Sequence, residues 1–297
     1  MNLPANYTLQ PVDPVLPVAP WLGGKRNLAQ RLTAILDAIP HATYAEPFVG
    51  MGGVFLRRKM RARHEVINNL GRDITNLFRI LQRHYPQFIE VMRFQLTTRV
   101  EFNRLVDTNP DALTDLERAA RFLYLQRTTF GGKVFGRNFG VSTERAARFN
   151  LSTLEPMLED VHSRLSGVVI ECLDYSAFIA RYDKRGTLFY IDPPYWGNEK
   201  DYGKEMFLRD AFEAMSAQLA SVKGRFVMSI NDVPAVRETF SGFQHQQVKT
   251  TYTVGKDAGA REKRSELLIR NFEIDTTSLA EARRAAICPF NDRSIPR

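Results

Sequence analysis

The chain has 297 residues, 44% of them hydrophobic, and a formal net charge of +8 with an isoelectric point near 9.6, the balance of a globular protein whose surface suits a polyanion. Two cysteines, Cys172 and Cys288, and five scattered histidines exclude a disulfide framework and a zinc cluster, so no metal is expected. Residues 1–19 are proline-rich without the order of a signal peptide, and no apolar run approaches membrane-spanning length, which predicts a cytoplasmic protein with no membrane partner.

In chain order, a disordered or extended arm over 1–19 precedes a helix over 27–39, where Leu28, Leu32, Ile35, Leu36 and Ile39 share one face. Strands are predicted at about 43–47 and 65–69. The segment Thr43-Tyr-Ala-Glu-Pro-Phe-Val-Gly-Met-Gly-Gly-Val-Phe55 reads as a strand, a turn at Gly50, Gly52 and Gly53, and a helix from near Val54. Glycines at such a turn let backbone approach a ligand where a Cβ would collide. From Ile74 to about Arg164 the pattern is mainly helical, with one apolar stripe at Ile74, Leu77, Phe78 and Leu81. Thr114-x-x-Glu117 and Ser152-x-x-Glu155 read as capping boxes opening two further helices. Strand–helix alternation resumes with strands at about 168–172, 187–191, 225–230, 245–252 and 265–272. An α/β sheet interrupted by a helical insert suggests a catalytic part and a recognition part.

The most informative residues are Asp192, Pro193, Pro194 and Tyr195, directly after the apolar run Thr187-Leu-Phe-Tyr-Ile191. Each proline fixes its φ and removes a donor, so the carbonyl of Asp192 or Pro193 has no local partner and can point outward beside the Asp192 carboxylate. Two acceptors and an aromatic ring suit a flat base bearing an exocyclic amine. Such a nitrogen is a poor nucleophile because its lone pair is delocalised into the ring. Acceptors for both N–H groups localise the lone pair for in-line attack on a sulfonium methyl, which is catalysis by orientation and pre-placed charge. The bland alternative is a Pro-Pro turn with an incidental acid and tyrosine.

On these blocks, in this order, the chain resembles the Dam-type N6-adenine DNA methyltransferases, which use S-adenosylmethionine and carry an Asp-Pro-Pro-Tyr motif. The resemblance runs from about Trp21 to about Phe272 through Pro20-Trp-Leu-Gly-Gly-Lys25, Glu46-Pro-Phe-Val-Gly-Met-Gly-Gly-Val-Phe55, Phe122-Leu-Tyr-Leu-Gln-Arg127, Asp192-Pro-Pro-Tyr195, Ser229-Ile-Asn-Asp232 and Arg264-Ser-Glu-Leu-Leu-Ile269. It implies an α/β fold, the Rossmann-like mixed sheet of S-adenosylmethionine-dependent methyltransferases with a mainly helical DNA-recognition insert. The catalytic domain would comprise 20–73 and 165–275, the insert 74–164 and a C-terminal tail 276–297.

By the same resemblance, Trp21 and Lys25 would contact the cofactor, Glu46, Phe48, Gly50 and Gly52 would line its pocket, Asp174 would lie near its adenine, and Asp192 would be the catalytic acceptor. A sulfonium and an adenine both favour aromatic faces. The chain departs from the family at Asn69, which aligns where an acid normally binds the cofactor ribose. An amide offers one uncharged oxygen there, which predicts roughly tenfold weaker cofactor binding. Asp73, a turn further on, is either an alternative ribose partner or an early acid of the next helix.

The stretch Arg127-Thr-Thr-Phe-Gly-Gly-Lys-Val-Phe-Gly-Arg-Asn-Phe-Gly140 interleaves glycines, aromatics and bases, and from Asp115 to Asn150 seven Lys/Arg face three acids. Arg127, Lys133, Phe135, Arg137 and Asn138 are candidate DNA contacts, with Phe130, Phe135 or Phe139 able to wedge into a stack. The alternative is a solvated loop whose phenylalanines pack on the insert's own helices. The expected partner is double-stranded DNA, with room for a cognate restriction endonuclease. Two rival functions remain: an amino-methyltransferase acting on N4 of cytosine, an RNA base or a glutamine side chain, and a DNA-binding homologue with weakened catalysis.

Overall fold

The computed structural model describes residues 9–21, 23–140, 147–197, 210–253 and 261–273. The first eight residues of the arm, Glu144 and Arg145 of the basic stretch, Cys288 and the tail 276–297 lie outside the described residues. The strands are β1 (Gln10–Pro11), β2 (Thr43–Glu46), β3 (Met60–Arg61), β4 (His64–Asn68), β5 (Val169–Glu171), β6 (Thr187–Ile191), β7 (Arg225–Asn231), β8 (Gln244–Thr253) and β9 (Arg261–Arg270). The helices are α1 (Ala29–Ala38), α2 (Arg72–Arg83), α3 (Tyr85–Met92), α4 (Arg99–Asp107), α5 (Asp115–Thr128), α6 (Leu151–Leu165), α7 (Tyr175–Tyr182), α8 (Asp210–Ala220) and α9 (Pro234–Thr239). The last strand starts earlier than expected because the polar run from Arg261 pairs along the whole length of β8.

Seven strands form one sheet in the order β5-β4-β2-β6-β7-β9-β8. The first five are parallel, whereas β9 runs antiparallel to both β7 and β8. Helices on both faces explain why all five residues of β6 are buried. Its alternate residues serve different cores: Leu188 and Tyr190 join one cluster with α1, α2, α5 and α6, and Phe189 and Ile191 join another with α7, α8 and α9. Each such side chain contributes about 1.5–3 kcal/mol of transfer free energy. This is a mixed α/β architecture with a mostly parallel sheet, consistent with the S-adenosylmethionine-dependent methyltransferase fold.

Four details differ from expectation. The arm is extended but not loose over its described part, because β1 pairs with β3 and Val18 is fully buried. The helix expected from near Val54 is a single 3-10 turn, Phe55–Arg57. It stops because the buried Arg58 guanidinium is drawn to Asp37 at 3.0 Å and Glu65 at 3.2 Å. The Thr114 capping box is present, but α6 is capped by Asn150, whose side chain accepts from the Ser152 N–H, so Ser152 stands inside the first turn. Finally, the division expected at 73/74 falls within α2, and an added Cβ at Gly52 would lie 3.7 Å from Phe78 of that helix. The glycine turn and the first insert helix therefore pack together.

Candidate active site

Strand order reverses between β2 and β6: successive strands run outward through β4 and β5 on one side and through β7 on the other. In open α/β sheets the crevice beyond the carboxyl ends of the strands at such a point is where ligands bind. The two motifs that stood out in the sequence leave these two neighbouring strands. β2 ends at Glu46 and runs into Pro47, Phe48 and the glycine turn, and β6 ends at Ile191 and runs into Asp192, Pro193, Pro194 and Tyr195.

The remaining candidates follow the same edge. Asn69 comes directly after β4 and Asp174 shortly after β5. The Phe48 ring stacks on Tyr175 at 5.6 Å, and the exposed Asp174 caps α7 by accepting from the Ser176 N–H at 2.8 Å. Asn69 is half-buried, and its amide makes a long contact of 3.5 Å to the Gly71 carbonyl. Asp73 stands in the first turn of α2 and pairs with Arg118 of α5 at 2.6 Å, as an early helix acid does.

The glycine turn has an internal reason as well as a ligand-facing one. Gly50 has φ +50°, and a Cβ there would lie 2.8 Å from Nε1 of Trp21. Gly52 has φ +75°, and a Cβ there would meet Leu56 at 2.7 Å. What the glycines admit first is thus the indole of Trp21, which rests against the turn at Gly50, and the side chain of Leu56, which packs at Gly52.

That segment delivers Lys25 to the second motif. Lys25 is 2% exposed; its Nζ lies 2.9 Å from Asp192 Oδ1 and 3.3 Å from Glu266 Oε2, and it donates to the Tyr195 hydroxyl at 2.6 Å. Tyr195 in turn donates to Glu266 Oε1. Ser229 donates to Asp192 Oδ1 at 3.2 Å and sits 2.8 Å from the Tyr190 hydroxyl. Burial raises the Asp192 pKa to about 6 against the opposing charge of Lys25, with Glu266 adding to the rise. Burial also pushes Glu46 well above the usual carboxylate range, with the Asp192 charge adding to the rise and a hydrogen bond from Tyr44 working against it.

The contacts to Asp192 fall on Oδ1, while its side chain keeps 19% exposure. Among the described residues one carboxylate oxygen is pinned, and the other, Oδ2, takes no hydrogen bond or ion pair from them. Because Asp192 titrates near 6, an activity that needs its ionised form should decline as pH falls through about 6. A pH–rate profile of the single-turnover reaction is expected to show this acid limb.

The basic stretch closes as a hairpin-like loop: Thr129 bridges Phe139, Phe130 N–H donates to Asn138 O, and Gly140 N–H donates to Thr128 O. Lys133, Phe135 and Asn138 are exposed at its tip, as is Phe130. Arg137 is half-buried; burial brings its pKa down to about 10, and its Nε has no hydrogen-bond partner among the described residues. Arg127 departs from expectation, because its guanidinium donates to the Val18 and Arg148 carbonyls and so serves as an internal tie. Phe139 packs against Phe102, which leaves Phe130 and Phe135 as the outward-facing rings.

Asn68, Asn231 and Glu266 carry roles that no single motif announces. Buried Asn68 donates to the Pro47 and Leu173 carbonyls and accepts from the Leu173 N–H, cross-linking the ends of β2, β4 and β5. Asn231 and Glu266 do stand in quoted blocks, although the blocks themselves assign them nothing. Among the described residues there is no group of three or more His, Cys, Asp or Glu able to hold a metal ion, and no helix is long and apolar enough to cross a membrane.

The sequence pattern of the D12 class N6 adenine-specific DNA methyltransferases matches residues 21–254. The chain is 26% identical to the type II methyltransferase M1.LlaDCHI of Lactococcus lactis subsp. cremoris, covering 86% of this chain and 95% of that relative. It is 23% identical to the type II methyltransferase M.CviBI of Paramecium bursaria Chlorella virus NC1A, covering 80% and 90%. It is 26% identical to a DNA adenine methylase of Vibrio cholerae serotype O1, covering 84% and 93%. With the Asp-Pro-Pro-Tyr loop and the glycine turn side by side at the switch point of a mostly parallel sheet, and the family pattern spanning both, the chain belongs to the D12 class of N6 adenine-specific DNA methyltransferases.

Proposed function

We propose that this enzyme takes its methyl group from S-adenosylmethionine held along the carboxyl edge of β2, β4 and β5, and places it on an adenine flipped out of duplex DNA onto the Asp192–Tyr195 loop. The observation that carries the reading is a part-exposed Asp192 at the end of β6 that Lys25 and Ser229 anchor through Oδ1. The edge fits the donor. Trp21 and Phe48 offer aromatic faces, Gly50 brings backbone close, and Asn69 and Asp174 offer acceptors for hydroxyl and amino groups. When bound, S-adenosylmethionine supplies an electrophilic methyl on a sulfonium.

The chain's own residues do the rest. The helical insert with its 127–140 loop engages the duplex, where Lys133 and Arg137 meet phosphates or base edges and Asn138 and Phe135 extend the contact. Extruding the base costs a few kcal/mol, which stacking and hydrogen bonding partly offset. Tyr195 faces the flipped ring, and Asp192 together with a proline-loop carbonyl accepts from N6. No covalent enzyme intermediate is called for. Family membership sets adenine above cytosine N4 or glutamine as the acceptor. In this reading 20–73 and 165–275 carry the transfer and 74–164 the recognition. The protein acts in the cytoplasm, and because two relatives bear type II names, a cognate restriction endonuclease is its proposed partner.

The test is to treat duplex DNA with purified protein and methyl-labelled S-adenosylmethionine and then digest the DNA to nucleosides. Label in N6-methyladenine is expected; label in N4-methylcytosine, or DNA binding without any transfer, would overturn the proposal. A second expectation concerns Asn69. Restoring a carboxylate with Asn69→Asp should tighten S-adenosylmethionine about tenfold in a calorimetric titration, since hydrogen bonds to charged groups contribute about 1.5–3 kcal/mol against about 1 for neutral ones. Unchanged affinity would show that the ribose lies elsewhere.

A further inference from the structure

We infer that Asn231 and Glu266 are positioning residues for adenine methylation, a frame built into β7 and β9 that holds the Asp192–Tyr195 loop in its reactive shape. The inference deepens the reading of that loop as the place where adenine is held, and it rests on that reading. The need for a frame follows from the sequence. Pro193 and Pro194 contribute no N–H, so half of the four-residue motif cannot donate to neighbouring backbone. β6 ends at Ile191, and the loop beyond it has to be held by other groups.

Besides Lys25 and Ser229, which anchor Asp192, two further side chains hold it. Asn231 and Glu266 are register partners across the antiparallel β7–β9 pair, which places them side by side. Just after the motif, the Asn231 amide closes a two-bond ring on Trp196: the Trp196 N–H donates to Oδ1 at 2.9 Å, and Nδ2 donates to the Trp196 carbonyl at 3.1 Å. The side chain thus pairs with the Trp196 backbone in the manner of a β-bridge. One residue earlier, the Tyr195 hydroxyl donates to Glu266 Oε1. The other Glu266 oxygen lies 3.3 Å from Lys25 Nζ, which is itself 2.9 Å from Asp192 Oδ1. Glu266 is 1% exposed. The first and last residues of the motif are therefore both referred to one cross-strand pair. Neither frame residue is placed against the base; they act through Trp196, Tyr195 and Lys25. A loop that drifts by about 1 Å can cost about a hundredfold in rate with little loss of binding.

The experiment is single-turnover methylation of duplex DNA, saturating in DNA and S-adenosylmethionine, with rates normalised to folded protein. The variants are Asn231→Ala, Asn231→Asp, Glu266→Ala, Glu266→Gln and the double alanine variant. Each alanine variant is expected to lose roughly tenfold to a hundredfold in rate, with KM for DNA and Kd for the donor changed less than about threefold. Asn231→Asp keeps the acceptor for the Trp196 N–H, and Glu266→Gln keeps an acceptor for Tyr195, so both should recover part of the loss. The double variant should be far less impaired than the product of the singles, because both residues hold one loop. Rates within about threefold of wild type for both alanine variants, losses confined to KM, no rescue by the conservative variants, or fully multiplicative losses would each overturn the inference. If folding fails in an alanine variant, the conservative pair decides: wild-type rates in both Asn231→Asp and Glu266→Gln overturn it, and graded losses support it. An Asp192→Ala control separates the two levels, since retained methylation there would refute the reading of the loop itself, whereas a dead Asp192→Ala beside unimpaired frame variants would refute only the frame.

Discussion

Replacing Asp192 with alanine is expected to lower single-turnover methylation by about a thousandfold or more while leaving duplex affinity within about threefold of wild type. The carboxylate is anchored through Oδ1 by Lys25 and Ser229, and it supplies the acceptor that draws the N6 lone pair out of conjugation. The residues expected to grip DNA stand in a separate element, the 127–140 loop, which closes on itself through Thr129 and Phe139. Asp192→Asn is the sharper variant, because it keeps an oxygen for Ser229 while removing the charge. Rates measured with labelled donor, set beside anisotropy measurements of duplex binding, check both halves. Turnover within tenfold of wild type in both variants would remove Asp192 from the chemistry.

The second large effect is on stability. Lys25→Met should destabilise the protein by about 3–5 kcal/mol near pH 8, the cost of leaving buried carboxylates without their cation. Lys25 is nearly inaccessible and lies between Asp192 and Glu266. The sign of the pH dependence follows from Asp192, whose folded pKa of about 6 stands above its ordinary value of 3.8. The folded state then holds a proton that the unfolded state releases, so the contribution of this group is full below the ordinary value and is lost as pH rises through about 6. Removing Lys25, whose charge lowers the Asp192 pKa, raises the folded value further. Lys25→Met should therefore regain more stability than wild type does between pH 8 and pH 5 in urea unfolding curves. A pH-independent deficit would mean that the carboxylates find other partners.

Much of this was legible in the residues, and the reasons are particular. β6 announces itself because both of its faces are covered, which leaves Thr187 to Ile191 buried throughout, and two prolines end it without ambiguity. The glycine turn is legible as a turn. Its role was only half legible, because what a Cβ at Gly50 would strike is Trp21, a residue 29 positions away in sequence. Local pattern also misled at Val54, where a helical continuation is cut short by the long-range pull of Asp37 and Glu65 on Arg58. At the start of α6 the Ser152-x-x-Glu155 pattern lost to Asn150, an equally strong cap placed earlier.

Charge was the least readable quantity. Of the bases between Asp115 and Asn150, Arg118 pairs with Asp73 and Asp111, and Arg121, Arg127 and Arg148 donate to main-chain carbonyls. A count of cations in sequence does not separate these internal ties from the exposed Lys133. Glu266 shows the opposite case: in sequence it is one acid in a charged run, yet it forms the buried floor beneath Lys25 and Tyr195. Only the β7–β9 register brings it there.

The central claim is that adenine is extruded onto Oδ2 of Asp192 beside the donor edge. It is tested most directly by a crystal structure of the protein with a methylatable duplex and an unreactive analogue of S-adenosylmethionine. The predicted result is an adenine out of the helix, its N6 at about 2.6–3.2 Å from Asp192 Oδ2, its ring against Tyr195, and the analogue along the ends of β2, β4 and β5. An adenine bound in a pocket away from Asp192, or a donor analogue seated elsewhere than on the Gly50 turn, would contradict it.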